Sequence, residues 1–528
     1  MNTTRAIVSI SLANLCYLRI WDLLLYDSEA SYFAKVPYGR ADFTAALLGL
    51  GLLATMLYAG ITVLTRSQSR VLRAMAMLVI LVVFFVPLDF ARRSSGPVSR
   101  PFPPYVRYLA LAAVAIALFV LALTLRQRFF AALFAILVVL SPYAMVSLAM
   151  IGARLLAEHP PGTPDAVASA IPPTRARPAG RVIWIIYDES DQRILFERRP
   201  PGLPLPNLDA FVRRSVLATR AYAPAQETRK SIPALLSGRV VAEARIAGPS
   251  ELLLRYPGRS EWYDFRSSDN IIARRLSAGS GVVVAGWLHP YDRILPASPH
   301  LTAWSCGFSA LRGIQERSLA EAVLAQYRFL ADPFYGRAWH CDSYANLHAT
   351  VMKAAADPAV ALIFAHYVIP HTPGIYCPMT RQLSARWSGN TSGYLKNLAL
   401  LDRSLGELLR QLEKSGLKEC TSLVVTSDHW WRQAPWVEPG QGYPVPLIIR
   451  ARGGGESVVV DVPICTTCLR GIIEDLLDGV ITDNAGVAER LAGAAVHGTI
   501  RYVDGVVAID SQGAPGGAER RAVQDADG

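Results

Sequence analysis

Residues 206–238 read PNLDAFVRRSVLATRAYAPAQETRKSIPALLSG. A short helical stretch opening on PNLD leads to AYA and then to a polar turn that closes on PALLSG, and this turn presents the hydroxyl of Thr228. Arg229 and Lys230 follow it directly. Such cations are suited to steadying a phosphate, although basic residues on a polar turn are as often plain solvated surface. What that hydroxyl attacks is the question the rest of the chain must answer.

Outward from this turn, between residue 181 and about residue 510, short β-branched runs (VIWII, GVVVAGW, VALIFAHY, SLVVTSDH, VPLIIR) alternate with helix-like segments such as 398–415. That rhythm predicts an α/β domain with a mostly parallel central sheet and helices on both faces. In open α/β sheets ligands gather at the carboxyl ends of the strands. Asp188 and Glu189 end VIWIIYDES, His366 and His371 lie in VALIFAHYVIPHTP, and Asp428 and His429 end SLVVTSDHWW. Asp, Glu and His form a hard-to-borderline ligand set suited to zinc or manganese. Any one of these pairs alone is an ordinary loop or helix cap. Their joint order, acidic pair, threonine turn, histidines, Asp-His, is what independent surface residues rarely reproduce.

The amino-terminal third is different. The uncharged runs 43–65, 74–88, 108–125 and 129–153 approach or exceed the roughly 20 residues that cross a hydrocarbon core. A further run, 6–26, is interrupted by Arg19 and Asp22, which are read as snorkelling at the interface, and it lacks a small-residue cleavage site. We therefore expect a transmembrane domain of about five helices over 1–153, a Pro- and Ala-rich linker over 154–180, a catalytic domain over 181–510 and a disordered tail over 511–528. Arg5, Arg66, Arg70, Arg73, Arg126 and Arg128 flank the shorter loops, which assigns that side to the cytoplasm and the carboxy-terminal domain to the outside. Six of the seven cysteines follow the last run, an even number that suits disulfides in an oxidising compartment. Cys465 and Cys468 form a lone CxxC, read as a local disulfide or a structural helix start in preference to a zinc site.

The 181–477 region resembles the alkaline phosphatase and arylsulfatase superfamily. Sulfatases carry a C-x-P-S-R or S-x-P-S-R motif followed by A-A-L-L-T-G, and counting back from Leu235-Leu236-Ser237-Gly238 places Thr228 at the nucleophile. Membrane-anchored phosphoethanolamine transferases head a T-x-x-S-x-P pattern with their nucleophile, and Thr228, Ser231 and Pro233 match it. By the same likeness Glu189 with Asp188, and Asp428 with His429, are metal ligands together with Thr228. His371, in PHTP, is similar to the histidine near the transferred phosphoryl group, and Gly286-Trp287-Leu288-His289 resembles G-K-W-H, making His289 a second catalytic candidate. Arg229, Lys230 and His366 complete the implied substrate-binding set.

The departures shape the expectation. Threonine cannot be converted to formylglycine, position 232 is Ile where sulfatases have arginine, and Trp287 stands where they have lysine, all of which argue against sulfatase chemistry of that type. Trp430 replaces the glycine after the Asp-His pair, which points away from a full two-metal site. Five spans with an outward domain resemble lipoteichoic acid synthases and phosphoethanolamine transferases. The resemblance implies a phospho-head-group transferase at the plasma membrane, with a phospholipid donor, an envelope lipid or glycan acceptor and a phosphothreonine-type intermediate. A phosphodiesterase or related ester hydrolase is the alternative, and a non-catalytic envelope protein a third. The net charge of +11 is dispersed with no compact basic and aromatic module, so no nucleic-acid partner is expected.

Overall fold

In a computed structural model of the protein, the β-branched runs become neighbouring strands. The structure describes residues 2–25, 32–33, 40–69, 71–72, 83, 126–156, 179–306, 318–331, 335–386, 389–431 and 443–510. Contacts divide the chain into two compact units, one of Met1–Ser31, Val36–Pro161 and Ser309–Pro333, the other of Tyr32–Lys35, Gly162–Phe308 and Phe334–Gly528.

The second unit is built on a nine-stranded sheet. Its strands are β1 (Arg181–Tyr187), β2 (Val216–Tyr222), β3 (Gly281–Trp287), β4 (Leu301–Cys306), β5 (Val360–Tyr367), β6 (Thr421–Thr426), β7 (Val445–Arg450), β8 (Val458–Val460) and β9 (Ile464–Cys465). The order across the sheet is β8-β2-β7-β6-β1-β5-β3-β4, with β9 also on β2. Only β7 runs against its neighbours, so the sheet is mostly parallel, as expected. Every residue of β1, β3, β5, β6 and β7 is buried, the pattern of strands covered on both faces. A large apolar side chain fully withdrawn from water in such a strand stabilises by about 1.5–3 kcal/mol. Helices Tyr335–Ala355, Asn390–Lys414 and Leu469–Asp478 belong to the same unit.

Register brings the carboxyl ends of the central strands level. Ile186 pairs with His366 on one side and Thr426 on the other, and Gly286 pairs with His366. The residues just beyond these pairs, Asp188, His289 and Asp428, therefore leave the sheet at one edge.

The amino-terminal unit is helical: Asn2–Cys16, Leu18–Leu24, Arg40–Arg66, Arg126–Val139, Ser141–Leu156 and, from much later in the chain, Leu319–Ala331. Two segments among the described residues, Arg40–Val63 and Ala131–Leu156, are long and apolar enough to cross a membrane. A third qualifies if Thr3–Cys16 and Leu18–Leu24, bent by 59° at their junction, count as one span. Of the five expected spans, two or three are found among the described residues, and the runs 74–88 and 108–125 lie outside the described residues almost entirely. Arg19 does not simply snorkel. Its Nη1 donates to the Phe329 carbonyl at 3.2 Å and its guanidinium sits 4.2 Å from the Phe329 ring centroid. Gln326 and Tyr327 of the same helix donate to the carbonyls of Asp42 and Gly49. Helix Leu319–Ala331, placed by the sequence in the catalytic domain, therefore packs with the amino-terminal helices. Most of the expected linker and the whole tail 511–528 lie outside the described residues.

None of the seven cysteines forms a disulfide, which corrects the oxidised framework inferred from their even number. Cys465 ends β9 and leads the 3-10 turn Thr466–Cys468 into helix Leu469–Asp478, where its Sγ accepts from Thr467 Oγ1. The CxxC is a helix start.

Candidate active site

Thr228 is the first residue of helix Thr228–Ser237, entered from an extended Glu227. That places its side chain at the end where free backbone amides favour anions. Gly238, at φ 70°, closes the helix in the left-handed conformation, and a Cβ there would press on Arg470. Thr228 is buried, and its Oγ1 lies 3.2 Å from His429 Nε2.

His429 is oriented by its own turn. Its Nδ1 lies 3.0 Å from the Trp430 carbonyl, an obligate acceptor, so Nδ1 carries the hydrogen. In the neutral ring Nε2 then offers its lone pair to the space between Thr228, Asp428 Oδ2 at 3.3 Å and Asp188 Oδ1 at 3.6 Å. Ser427 holds the turn with its hydroxyl, which lies within donating distance of the Tyr187 and His429 carbonyls and accepts from the Ser190 amide.

Asp188, His366 and Asp428 each direct a ligand atom within 4.8 Å of one another, all three buried. His366 Nδ1 is engaged by Tyr291 Oη at 2.9 Å, which turns Nε2 toward the carboxylates. Tyr291 comes this close because position 286 is glycine: a Cβ on Gly286 would overlap Tyr291 Cε2. Burial opposes charge on Asp428, yet His429 and His366 beside it hold its carboxyl down at about 2. His366 itself is pushed down to about 4 by burial, so it is a neutral ligand at neutral pH. His366 Nε2 and Asp428 Oδ2 are buried with no hydrogen-bond partner among the described residues. Two carboxylates, imidazole nitrogens and orphaned buried atoms converging on one point fit a divalent cation. Asp188, His366, Asp428, His429 and Thr228 are the residues that would hold it.

Glu189 is not one of the three residues, Asp188, His366 and Asp428, of that group. Its backbone has φ 65°, its amide points at Asp428 Oδ1 at 3.4 Å, and its carbonyl accepts from Tyr394 Oη at 2.9 Å. Its carboxylate faces His371, with Oε1 3.9 Å from Nε2. His371, whose side chain is 19% exposed, packs on Trp287 and stacks with His340. Asn397 fixes the His371 turn by donating to its carbonyl, and the His371 amide donates to the Asp188 carbonyl.

His289 is fully enclosed, and both of its ring nitrogens are engaged, Nδ1 with Tyr32 Oη at 2.6 Å and Nε2 with the Thr228 carbonyl at 3.4 Å. Burial, reinforced by His366, pushes it down to about 3. It meets the backbone of Thr228, not the hydroxyl. Arg229 is half-buried beside the nucleophile, while Lys230 pairs with Glu227 at 3.2 Å. Sequence reasoning missed Tyr32, Tyr291, Ser427, Tyr394, Asn397 and His340. Of these, only Tyr291 had a local signal, its position just beyond the Gly286–His289 motif.

The family model described as Sulfatase matches residues 326–464, a stretch that includes His366, His371, Asp428 and His429. Over these residues the chain is similar to the sulfatase family. This supports placing the unit in the alkaline phosphatase and sulfatase superfamily. Among solved structures, the chain is similar to the phosphonate monoester hydrolase of Agrobacterium radiobacter at 14% identity, covering 57% of this chain and 77% of that one with TM-score 0.37. It is also similar to the phosphonate monoester hydrolase from Silicibacter pomeroyi at 17% identity, covering 60% and 77% with TM-score 0.40. A third likeness is to the PsFucS1 sulfatase from Pseudoalteromonas sp., at 13% identity, 63% and 76% coverage and TM-score 0.42. No curated protein sequence matches the chain.

Proposed function

We propose that this protein is a membrane-bound, metal-dependent transferase that moves a phospho-head-group, phosphoethanolamine or phosphoglycerol, from a phospholipid to an envelope lipid or glycan. The observation that carries this reading is the approach of Thr228 Oγ1 to His429 Nε2 beside the two carboxylates. Thr228 Oγ attacks the donor phosphorus. The Oγ–P bond forms as the hydroxyl proton leaves to water and the bond from phosphorus to the diacylglycerol oxygen breaks; the acceptor hydroxyl, losing its proton to His371, later attacks the phosphorus while the Oγ–P bond breaks and Thr228 Oγ regains a proton from water.

A zinc or manganese ion held by Asp188, His366, Asp428 and His429 would supply Lewis acidity that makes the Thr228 hydroxyl more acidic. The protein supplies the rest. The helix amino terminus and Arg229 receive the phosphoryl oxygens. His371, more exposed than His289 and with Glu189 Oε1 3.9 Å from its Nε2, protonates the departing alkoxide. His289 is held on the Thr228 backbone and is a positioning group. The apolar helices of the amino-terminal unit suit a donor dissolved in a bilayer. We place the protein in the plasma membrane with the α/β unit outside.

Comparative mass spectrometry of envelope lipids and glycans from cells carrying wild type or Thr228→Ala tests this. Loss of one phospho-modified species in the variant supports transfer and names the acceptor, whereas identical profiles count against it. The family match favours a second reading, a hydrolase of the same superfamily with water as acceptor. Sustained turnover of a soluble chromogenic phosphodiester by the full chain without any lipid acceptor supports that reading.

A further inference from the structure

Residues 32 and 33 pack as part of the α/β unit although they lie in sequence between two helices of the amino-terminal unit. Tyr32 is wholly buried there, 257 residues before its partner His289. Three contacts fix it. Its Oη meets His289 Nδ1 at 2.6 Å, its carbonyl accepts from the buried Arg293 guanidinium, and its ring meets those of Phe33 and His289 edge to face. Arg293 is itself anchored, its Nε donating to the Pro249 carbonyl at 3.0 Å.

The direction of the hydrogen bonds follows from one group that cannot donate. The Thr228 carbonyl only accepts, so the hydrogen at His289 must sit on Nε2. In a neutral imidazole Nδ1 is then the acceptor, and Tyr32 Oη is the donor. The chain of donation therefore runs from Tyr32 through His289 to the first carbonyl of the nucleophile's helix.

We propose that Tyr32 is a positioning residue for the nucleophile, one that locks the His289 tautomer and thereby the backbone of Thr228. This rests on the reading of Thr228 as nucleophile. It also means that the working site includes a residue from the amino-terminal region, which an isolated 181–528 fragment lacks.

The test uses the full chain in detergent with fluorescent phosphatidylethanolamine and phosphatidylglycerol, reading diacylglycerol release. Tyr32→Phe keeps the ring and removes the donor. His289→Gln keeps an amide N–H near the Nε2 position and no longer needs Tyr32 to set a tautomer. We expect Tyr32→Phe to lower kcat about 10-fold with KM unchanged. In the His289→Gln background the same substitution has no further effect. A wild-type kcat for Tyr32→Phe, or an equal loss in both backgrounds, overturns the proposal. Thr228→Ala separates the two levels. If it abolishes release while Tyr32→Phe is silent, only the positioning role fails. If Thr228→Ala keeps the wild-type rate, or the wild type releases no diacylglycerol, the functional reading fails and the positioning role with it.

Discussion

Thr228 Oγ1 stands 3.2 Å from His429 Nε2, although 201 residues separate them in sequence. The contact joins the first turn of a helix to the residue pair that ends β6, and it aims a hydroxyl at the only ring nitrogen of His429 with a lone pair to offer. Replacing Thr228 with Ala removes the attacking atom, so kcat/KM on a phosphodiester should fall by about 1,000-fold or more. Thr228→Ser retains a hydroxyl and should keep measurable turnover.

Cation binding is the next expectation. Chelation of the purified protein should abolish turnover reversibly, and Asp428→Asn or His366→Ala should weaken zinc or manganese binding by calorimetry. Tyr291→Phe, which removes the partner of His366 Nδ1, should weaken it about 10–100-fold. Metal at 100 times its Kd should stabilise the wild type by about 2.7 kcal/mol in denaturant unfolding, with a smaller gain in each variant.

Gly286 is argued from space. An added methyl overlaps the Tyr291 ring and approaches His366 Cβ at 3.1 Å, and in a packed sheet neither has room to move. Gly286→Ala should cost about 1–3 kcal/mol in chemical denaturation and should lower metal affinity as well. Gly202→Ala changes nothing near the site and serves as a control, because open space surrounds that glycine.

Much of this was legible in the chain, for identifiable reasons. β1, β3, β5, β6 and β7 announced themselves because strands buried on both faces must be continuous apolar runs, and the polar residues ending them had to lie at one edge of a parallel sheet. Asp188, Asp428 and His429 were read that way, whereas Thr228 was read from the resemblance of its turn to a family motif. His366 was read as a substrate contact; its place with the carboxylates depends on its register opposite Ile186, which spacing along one strand does not reveal. Tyr32 had no signal at all, since its partner is fixed only by tertiary packing. Helix Leu319–Ala331 reads as one more amphipathic helix of the α/β rhythm, and only its contacts with Gly49, Asp42 and Arg19 place it elsewhere. Counting cysteines suggested disulfides because parity ignores geometry.

Acid should expose the cost of the enclosed His289. Its folded value of about 3 lies below the 6.5 of an unperturbed imidazole, so between them the unfolded chain binds a proton that the folded chain does not. Stability from this group is fully present above pH 6.5 and is lost as pH falls toward 3. Between pH 7 and 5 the wild type should lose about 2 kcal/mol more unfolding free energy than His289→Gln, which has no such group. Denaturant titrations at the two pH values check it.

The central claim is covalent. Full-length protein incubated with phosphatidylethanolamine or phosphatidylglycerol and a divalent metal, acid-quenched and measured by intact and tandem mass spectrometry, should gain the mass of one phospho-head-group. That mass should localise to the peptide bearing Thr228 and be absent in Thr228→Ala. Diacylglycerol release by the wild type with no adduct on Thr228 at any quench time, or an adduct that persists in Thr228→Ala, would contradict the account.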